Sequence, residues 1–91
     1  MGALAEDTVV VKNRLGLHLR AASMIAETIR RFDATVVLWR EGLHADARSV
    51  TSMLILGAPQ GTKLAIKADG PEAGAALAAI KELFEQRFGE E

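Results

Sequence analysis

The stretch TVVVKNRLGLHLRAASMIAETIRRF, residues 8–32, passes from a β-branched run through a glycine-containing loop into a helix-like pattern. Its first part, Thr8–Lys12, has the composition of a buried or half-buried strand, which residues 13–17 interrupt. From about His18 we expect a helix that ends near Asp33. The apolar stripe of this helix recurs at helical spacing, at Ala22, Ile25, Ala26, Ile29 and Phe32.

Two strand-like runs follow the first helix, at residues 34–40 and 42–46. The tripeptide Arg-Glu-Gly at 40–42 joins them, and Gly42 can supply the positive φ that a tight turn requires. We therefore predict a β-hairpin. The segment at residues 48–57 contains a serine suited to an N-cap and stops at a glycine. It is typical of a helix of one to two turns.

The last third of the chain predicts one more strand and one more helix. After a turn at residues 58–62, the segment 62–68 alternates between polar and apolar residues, as a strand with one buried face does. Pro71 suits the first position of a helix, because its missing N–H costs little there. The buried stripe of this helix is predicted at Leu77, Ile80, Phe84 and Phe88.

The predicted order β-α-β-β-α-β-α indicates an α+β fold with one sheet and its helices on one face. A right-handed crossover through the first helix would place the first two strands parallel, with the last strand between them. Because the chain has 91 residues, 49 % of them apolar, we expect a single domain over residues 1–91. We expect a loose N-terminal segment at 1–6 and a loose C-terminal end at 89–91.

Composition argues against several classes of function. Eleven basic and twelve acidic residues give a net charge of −1, which removes the attraction on which non-specific nucleic-acid binding depends. The sequence has no cysteine, which excludes disulfides, thiolate metal sites and cysteine nucleophiles and fits a reducing cytoplasm. It contains no apolar run of signal-peptide or membrane-spanning length, so we expect a cytoplasmic protein that does not insert into membranes.

His18 stands where the loop becomes the helix, and its surroundings suit an anion. The first-turn N–H groups of Leu19, Arg20 and Ala21 have no partners within the helix, and the helix dipole there favours an anion over an imidazolium. A neutral imidazole keeps a free ring nitrogen that can attack a phosphoryl group, and the arginine suits phosphate oxygens. The pattern predicts a phosphoryl acceptor. A surface or capping histidine is the simpler interpretation, and we keep it for His44.

Three stretches in this order resemble the HPr family, the histidine-containing phosphocarriers of the bacterial phosphoenolpyruvate-dependent sugar phosphotransferase system. They are the pattern Asn13-x-x-Gly16-Leu17-His18-x-Arg20, the tetrapeptide ARSV at 47–50, and LGAPQGTKLAIKADG at 56–70. The resemblance spans nearly all of residues 8–88. It implies an open-faced β-sandwich, with a four-stranded antiparallel sheet in the order 1-4-2-3 and three helices on one face.

The resemblance also implies a function. Enzyme I would phosphorylate the δ1 nitrogen of His18, Arg20 would neutralise the phosphate, and the phosphoryl group would pass to a histidine of EIIA-type proteins. Such a protein is a phosphoryl-transfer intermediate rather than a stand-alone enzyme, and we expect a monomer that uses no cofactor and no metal. Ser49 matches the regulatory serine that an HPr kinase/phosphorylase modifies in some members. Its simpler interpretation is a helix N-cap.

Two positions depart from the family pattern. Ala21 stands where the family usually has proline, which leaves the loop looser and adds an amide donor. We therefore expect altered transfer rates or equilibrium rather than lost function. Leu19 is bulkier than the small residue common beside the histidine, and this difference can narrow the choice of partners.

We expect partners to contact an apolar surface around His18. Its predicted members are Leu17, Leu19, Met24, Val50 and Leu54, ringed by the charged Arg20, Glu27 and Arg48. At helical spacing such residues belong to the core more often than to an interface, but Met24 falls off the buried stripe and should face outward. A small, transient contact suits a carrier that releases its partners.

Two alternatives stay open. One is a regulatory member of the same family, as in the nitrogen-related phosphotransferase system, and the other is an interaction module that binds partners without phosphoryl transfer. A hydrolase or metalloenzyme is disfavoured, because two histidines far apart in the sequence and no clustered carboxylates do not form a site of familiar geometry.

Overall fold

The computed structural model describes residues 3–90, and within this range the chain forms the predicted order of elements. The strands are β1 (Ala3–Val10), β2 (Thr35–Arg40), β3 (Leu43–Asp46) and β4 (Lys63–Gly70), and the helices are α1 (Leu19–Ile29), α2 (Val50–Leu56) and α3 (Ala73–Glu85). A 3-10 turn follows at Arg87–Gly89. Across the described part of the chain, no helix has the length and apolar character needed to cross a membrane.

The strands form one antiparallel sheet in the order β1-β4-β2-β3. Because β4 runs antiparallel to both β1 and β2, these two strands are parallel with β4 between them, as the crossover argument predicts. Alternate residues of the central strands are buried beneath the helices, namely Val36, Leu38, Leu64, Ile66 and Ala68. Residues between them, such as Trp39 and Lys67, lie on the other face. The predicted fold class is confirmed.

The prediction of a loose N-terminal segment at 1–6 is wrong for residues 3–6. Strand β1 pairs with β4 along its whole length, from Ala3 opposite Gly70 to Val10 opposite Lys63. Cross-strand pairing therefore orders a segment whose own composition favours no strand. Residues 1 and 2 lie outside the described residues.

Three helix boundaries differ from the prediction. Helix α3 ends at Glu85, before the predicted stripe residue Phe88, and the other two differences have a local cause. Helix α1 ends at Ile29 rather than near Asp33, because the N–H groups of Arg31 and Phe32 bond to carbonyls three residues back and tighten the chain. Helix α3 begins at Ala73 rather than at Pro71. The residue between them, Glu72, is held to Asp33 by two reciprocal hydrogen bonds, of 2.8 and 3.0 Å, which keep it outside the helix.

The prediction of a loose C-terminal end at 89–91 is wrong for residues 89 and 90. Phe88 lies beyond α3, yet it is buried, and its ring packs edge-on against Phe84 at 4.9 Å between centroids. This aromatic anchor holds the 3-10 turn against the core and delivers Glu90 to the loop that precedes α1. Residue 91 lies outside the described residues.

The predicted hairpin and the short second helix are confirmed. Glu41 and Gly42 both have positive φ, 47° and 82°, so β2 and β3 are joined by a two-residue turn of the type that matches strand twist. Helix α2 starts at the Ser49 cap and ends at Gly57, whose φ of 63° is left-handed. Its end brings residues 57–59 against the loop before α1.

Candidate functional site

The loop before α1 is fixed by a close approach of two backbone segments. Gly16 has a φ of +70°, and a Cβ added there would lie 2.5 Å from the carbonyl oxygen of Ala58. The next residue, Leu17, donates its N–H to that same oxygen at 2.8 Å. Only glycine fits this position without movement of the backbone, so the loop places His18 at the start of α1.

His18 is the N-cap residue of α1. Its backbone is extended, its Nδ1 accepts a hydrogen bond from the N–H of Arg20 at 3.2 Å, and its carbonyl accepts one from Ala22 at 2.9 Å. The side chain is 27 % exposed. The simpler interpretation, a capping histidine, is therefore confirmed, and the same ring is also accessible to a partner.

The two ring nitrogens of His18 face different groups. Nδ1 accepts from a backbone N–H, so its lone pair points toward the first turn of α1. Nε2 lies 3.3 Å from Oε2 of Glu90, a carboxylate oxygen that can only accept when ionised. These contacts together favour the tautomer that carries its proton on Nε2 and leaves Nδ1 free to act as a nucleophile.

Glu90 is itself held by the loop. Its Oε1 accepts the N–H of Leu15 at 3.0 Å, and its Oε2 accepts the side-chain amide of Asn13 at 3.2 Å. The same amide nitrogen also donates to the carbonyl of Gly16 at 2.6 Å. Asn13 is almost completely buried, so the carboxylate rests on a rigid part of the loop.

Opposing effects act on the Glu90 carboxyl. Its removal from water tends to raise the pKa, but hydrogen bonds from the Leu15 N–H, the Asn13 amide and the His18 ring outweigh this and hold the pKa of Glu90 below its usual range. The side chain is therefore an anion at neutral pH, facing Nε2 of the histidine.

Sequence reasoning missed Glu90. The contact joins residues more than seventy positions apart, and the acidic end of the chain carries no periodicity or turn signal that would connect it to the loop. Asn13 was recognised only as a member of the family pattern. Its physical role, a buried bridge between the loop and the C-terminal carboxylate, appears only in the structure.

The three predicted amide donors occupy the first turn of α1. Arg20 donates its N–H to Nδ1, while Leu19 and Ala21 flank it in the helix. The side chain of Ala21 is fully buried, so this departure from the family pattern fills a core position. Arg20 is exposed at the same helix start, where its guanidinium can turn toward a group on the ring.

Only some of the apolar residues predicted to contact partners are exposed to solvent. Leu19 and Leu54 are exposed, at 62 % and 40 %, whereas Met24 and Val50 are half-buried and pack against the core. Leu17 is 5 % exposed and belongs to the core, and its N–H bonds to the carbonyl of Ala58. The structure therefore does not place Leu17 on an exposed surface, and Met24 faces outward only in part.

The charged rim also differs from the prediction. Glu27 is exposed on α1, but Arg48 directs its guanidinium to the carbonyl of Ala34, just beyond the end of α1 that is remote from His18. Arg48 therefore does not border the histidine. Two exposed apolar residues were missed, Leu15 at 66 % in the loop and Ile55 at 76 % on α2.

Ser49 caps α2. Its Oγ accepts the N–H of Ser52 at 3.1 Å and donates to the Ser52 hydroxyl at 3.0 Å, and the residue is half-buried. The helix-cap interpretation is confirmed. Phosphorylation of this hydroxyl stays a prediction.

Comparison with known proteins gives one family. The family model described as "PTS HPr component phosphorylation site" matches residues 5–86. Phosphocarrier protein HPr of Xylella fastidiosa strain 9a5c is 35 % identical, with 97 % of this chain and 99 % of the relative covered. Phosphocarrier protein NPr of Escherichia coli K12 is 39 % identical, with 94 % and 97 % covered. The crystal structure of HPr-C-His from Thermoanaerobacter tengcongensis superposes with a TM-score of 0.91 at 31 % identity, covering 96 % of this chain and 98 % of that one. The chain therefore belongs to the HPr family of phosphocarrier proteins of the phosphotransferase system, which includes both HPr and NPr relatives.

Proposed function

We propose that this protein accepts a phosphoryl group from enzyme I on Nδ1 of His18 and passes it to EIIA-type proteins. One observation carries the proposal: Nδ1 accepts the N–H of Arg20, so the lone pair of this nitrogen lies among the first-turn amides of α1. A phosphoryl group on Nδ1 would meet donors already oriented toward an anion. The absence of cysteine from the sequence fits the cytoplasm, where we expect the relay to work.

Transfer requires the lone pair of Nδ1 to be released from the Arg20 N–H. The hydrogen bond from the Arg20 N–H to Nδ1 is 3.2 Å, at the long end of the usual range, and it opens when the lone pair turns to phosphorus. As the bond from Nδ1 to phosphorus forms, the bond from phosphorus to the donor breaks, and its electron pair leaves with the donor. The Arg20 N–H and guanidinium are then available to the phosphoryl oxygens.

The first test is phosphorylation with purified enzyme I and phosphoenolpyruvate. We expect an adduct that is labile in acid and stable in base, and His18→Ala should abolish it. His44→Ala is the matched control, because His44 lies on β3, stacked near Trp39 at 4.8 Å, and should leave the adduct unchanged. An adduct that survives in His18→Ala, or none in the wild type, would contradict the proposal.

The HPr and NPr relatives have similar identities, so sequence similarity does not choose between sugar transport and a regulatory branch. We propose to separate them by comparing enzyme I of the sugar system with enzyme I of the nitrogen-related system as donors. The preferred donor is the one with the higher initial rate of phosphorylation. If neither phosphorylates the protein and partners still bind, the interaction-module alternative is supported instead.

A second modification, at Ser49, is proposed separately. A phosphate there would add negative charge at the start of α2, after the hydroxyl leaves its bonds to Ser52. The test is incubation with ATP and extracts of the source organism, in which an HPr kinase/phosphorylase would modify the wild type and not Ser49→Ala. A consistently blank result would leave Ser49 as a helix cap alone.

A further inference from the structure

The ring of His18 is held at both nitrogens by groups from distant parts of the chain. The backbone of α1 holds Nδ1 at 3.2 Å, and the Glu90 carboxylate holds Nε2 at 3.3 Å. The two side chains are mostly shielded, with 27 % and 18 % of their surfaces exposed. Solvent therefore weakens the contact between the Nε2 proton and the carboxylate less than it would weaken one between fully exposed side chains.

Hydrogen bonds from the loop hold the Glu90 carboxylate in place beside the ring. Each oxygen of Glu90 accepts at least one hydrogen bond from the loop, from Leu15 or from Asn13. The backbone before it is fixed by the buried Phe88 and by the bond from its own N–H to the Arg87 carbonyl at 2.9 Å. A side chain bound in this way holds one position relative to the imidazole.

From this arrangement we infer that Glu90 is a positioning residue for phosphoryl transfer, and the inference rests on the function proposed above. The carboxylate keeps the ring proton on Nε2, which leaves Nδ1 as the nucleophile. When Nδ1 bonds to phosphorus, the ring becomes cationic, and its Nε2 proton stays in the hydrogen bond to Glu90. When the phosphoryl group leaves, the electron pair of the N–P bond returns to Nδ1 and the ring is neutral again.

Glu90 therefore stabilises the charged ring that exists only while phosphorus is being bound or carried. A carboxylate that orients a histidine from its other nitrogen acts in this way in catalytic triads, without taking the proton itself. We expect Glu90→Gln and Glu90→Ala to slow phosphorylation of His18 about tenfold, the effect of losing one charge-assisted hydrogen bond. Glu90→Asp keeps the negative charge on a side chain that is one methylene shorter, and it should retain part of the phosphorylation rate.

The control variant is Glu85→Gln. Glu85 also lies near the C-terminus and pairs with Lys12 at 2.7 Å, but it does not belong to the contacts around His18. Its removal should leave the phosphorylation rate within about twofold of the wild type. Unfolding midpoints of all four variants separate a loss of rate from a loss of fold.

A second measurement detects the contact without any transfer. Nitrogen-15 NMR of the unphosphorylated ring at about pH 9, above the ordinary histidine range, reports which nitrogen carries the proton. We expect Nε2–H in the wild type and a shift toward mixed tautomers in Glu90→Ala. Two results would overturn the role of Glu90. One is an unchanged set of ring nitrogen signals in Glu90→Ala. The other is a wild type that is phosphorylated while Glu90→Gln and Glu90→Ala react at rates within about twofold of it. If the wild type is not phosphorylated at all, the proposed function fails, and the NMR result still decides whether Glu90 orients the ring.

Discussion

Replacement of Gly16 by alanine tests whether the loop that places His18 depends on a glycine. Gly16 lies in the left-handed region at φ +70°, where a side chain costs about 1–2 kcal/mol. The new Cβ would lie 2.5 Å from the carbonyl oxygen of Ala58 and 3.0 Å from Cα of Pro59, which are both backbone atoms, so the loop has to move. Overpacking of this kind typically costs about 1–3 kcal/mol more. We expect Gly16→Ala to lower the free energy of unfolding by about 3 kcal/mol.

Thermal unfolding is the direct assay. For a domain of this size each kcal/mol moves Tm by about 4–8 °C, so Gly16→Ala should lower Tm by about 12–24 °C. Gly74→Ala is the matched control, because a Cβ at Gly74 in α3 meets no atom outside its own stretch of helix within 4 Å and should stabilise the protein by up to about 1 kcal/mol. If Gly16→Ala unfolds within about 4 °C of the wild type, the argument from the close backbone approach is refuted.

Three further predictions concern charge and capping. Arg20→Ala should slow phosphorylation of His18 by enzyme I about tenfold with an unchanged fold. The control Arg30→Ala, at the other end of α1, should not change the rate. If Arg20→Ala is phosphorylated as fast as the wild type, Arg20 has no part in the mechanism. Ser49→Ala should lower the unfolding free energy by about 1 kcal/mol in urea, through loss of the cap on α2, and an unchanged urea midpoint would contradict this. Hydrogen bonds from lysine partners lower the pKa of Asp7 and of Glu85 in the folded state. These two carboxylates therefore stabilise the fold fully at pH values above the pKa that each has in the unfolded chain. The stabilisation is lost as the pH falls through the lower pKa of the folded state. The urea midpoint should decrease below about pH 4.5, and these two groups should not change it near neutrality.

The features that the sequence predicted correctly are those written in neighbouring residues. The stripe of α1 depends on a helical repeat, and the hairpin turn depends on two adjacent residues, Glu41 and Gly42. The family pattern around His18 is likewise a local motif of a few residues. Such signals do not require knowledge of how distant segments meet.

The features that it missed depend on contacts between distant segments. Residues 3–6 form a strand through their pairing with β4, and Leu17 lies in the core beside Ala58, whose carbonyl accepts its N–H. Glu90 reaches His18 from the far end of the chain, after Phe88 has anchored that end in the core. In each case the deciding partner is far away in sequence, where periodicity and spacing carry no information.

Arg48 illustrates a different kind of error. The sequence analysis places Arg48 in the charged rim around His18, yet its long side chain is directed by the acceptors around it and reaches the carbonyl of Ala34. Arg48 precedes the cap of α2, and its sequence position does not fix the direction of a flexible arginine side chain.

The central claim is that Nδ1 of His18 carries the phosphoryl group, and the most direct measurement identifies the phosphorylated atom. After incubation with enzyme I and phosphoenolpyruvate, phosphorus-31 and nitrogen-15 NMR of histidine-labelled protein should show one phosphohistidine, bonded through Nδ1, with the proton retained on Nε2. Phosphorus bonded to Nε2, phosphorus on any residue other than His18, or an unmodified ring after prolonged incubation would contradict the account.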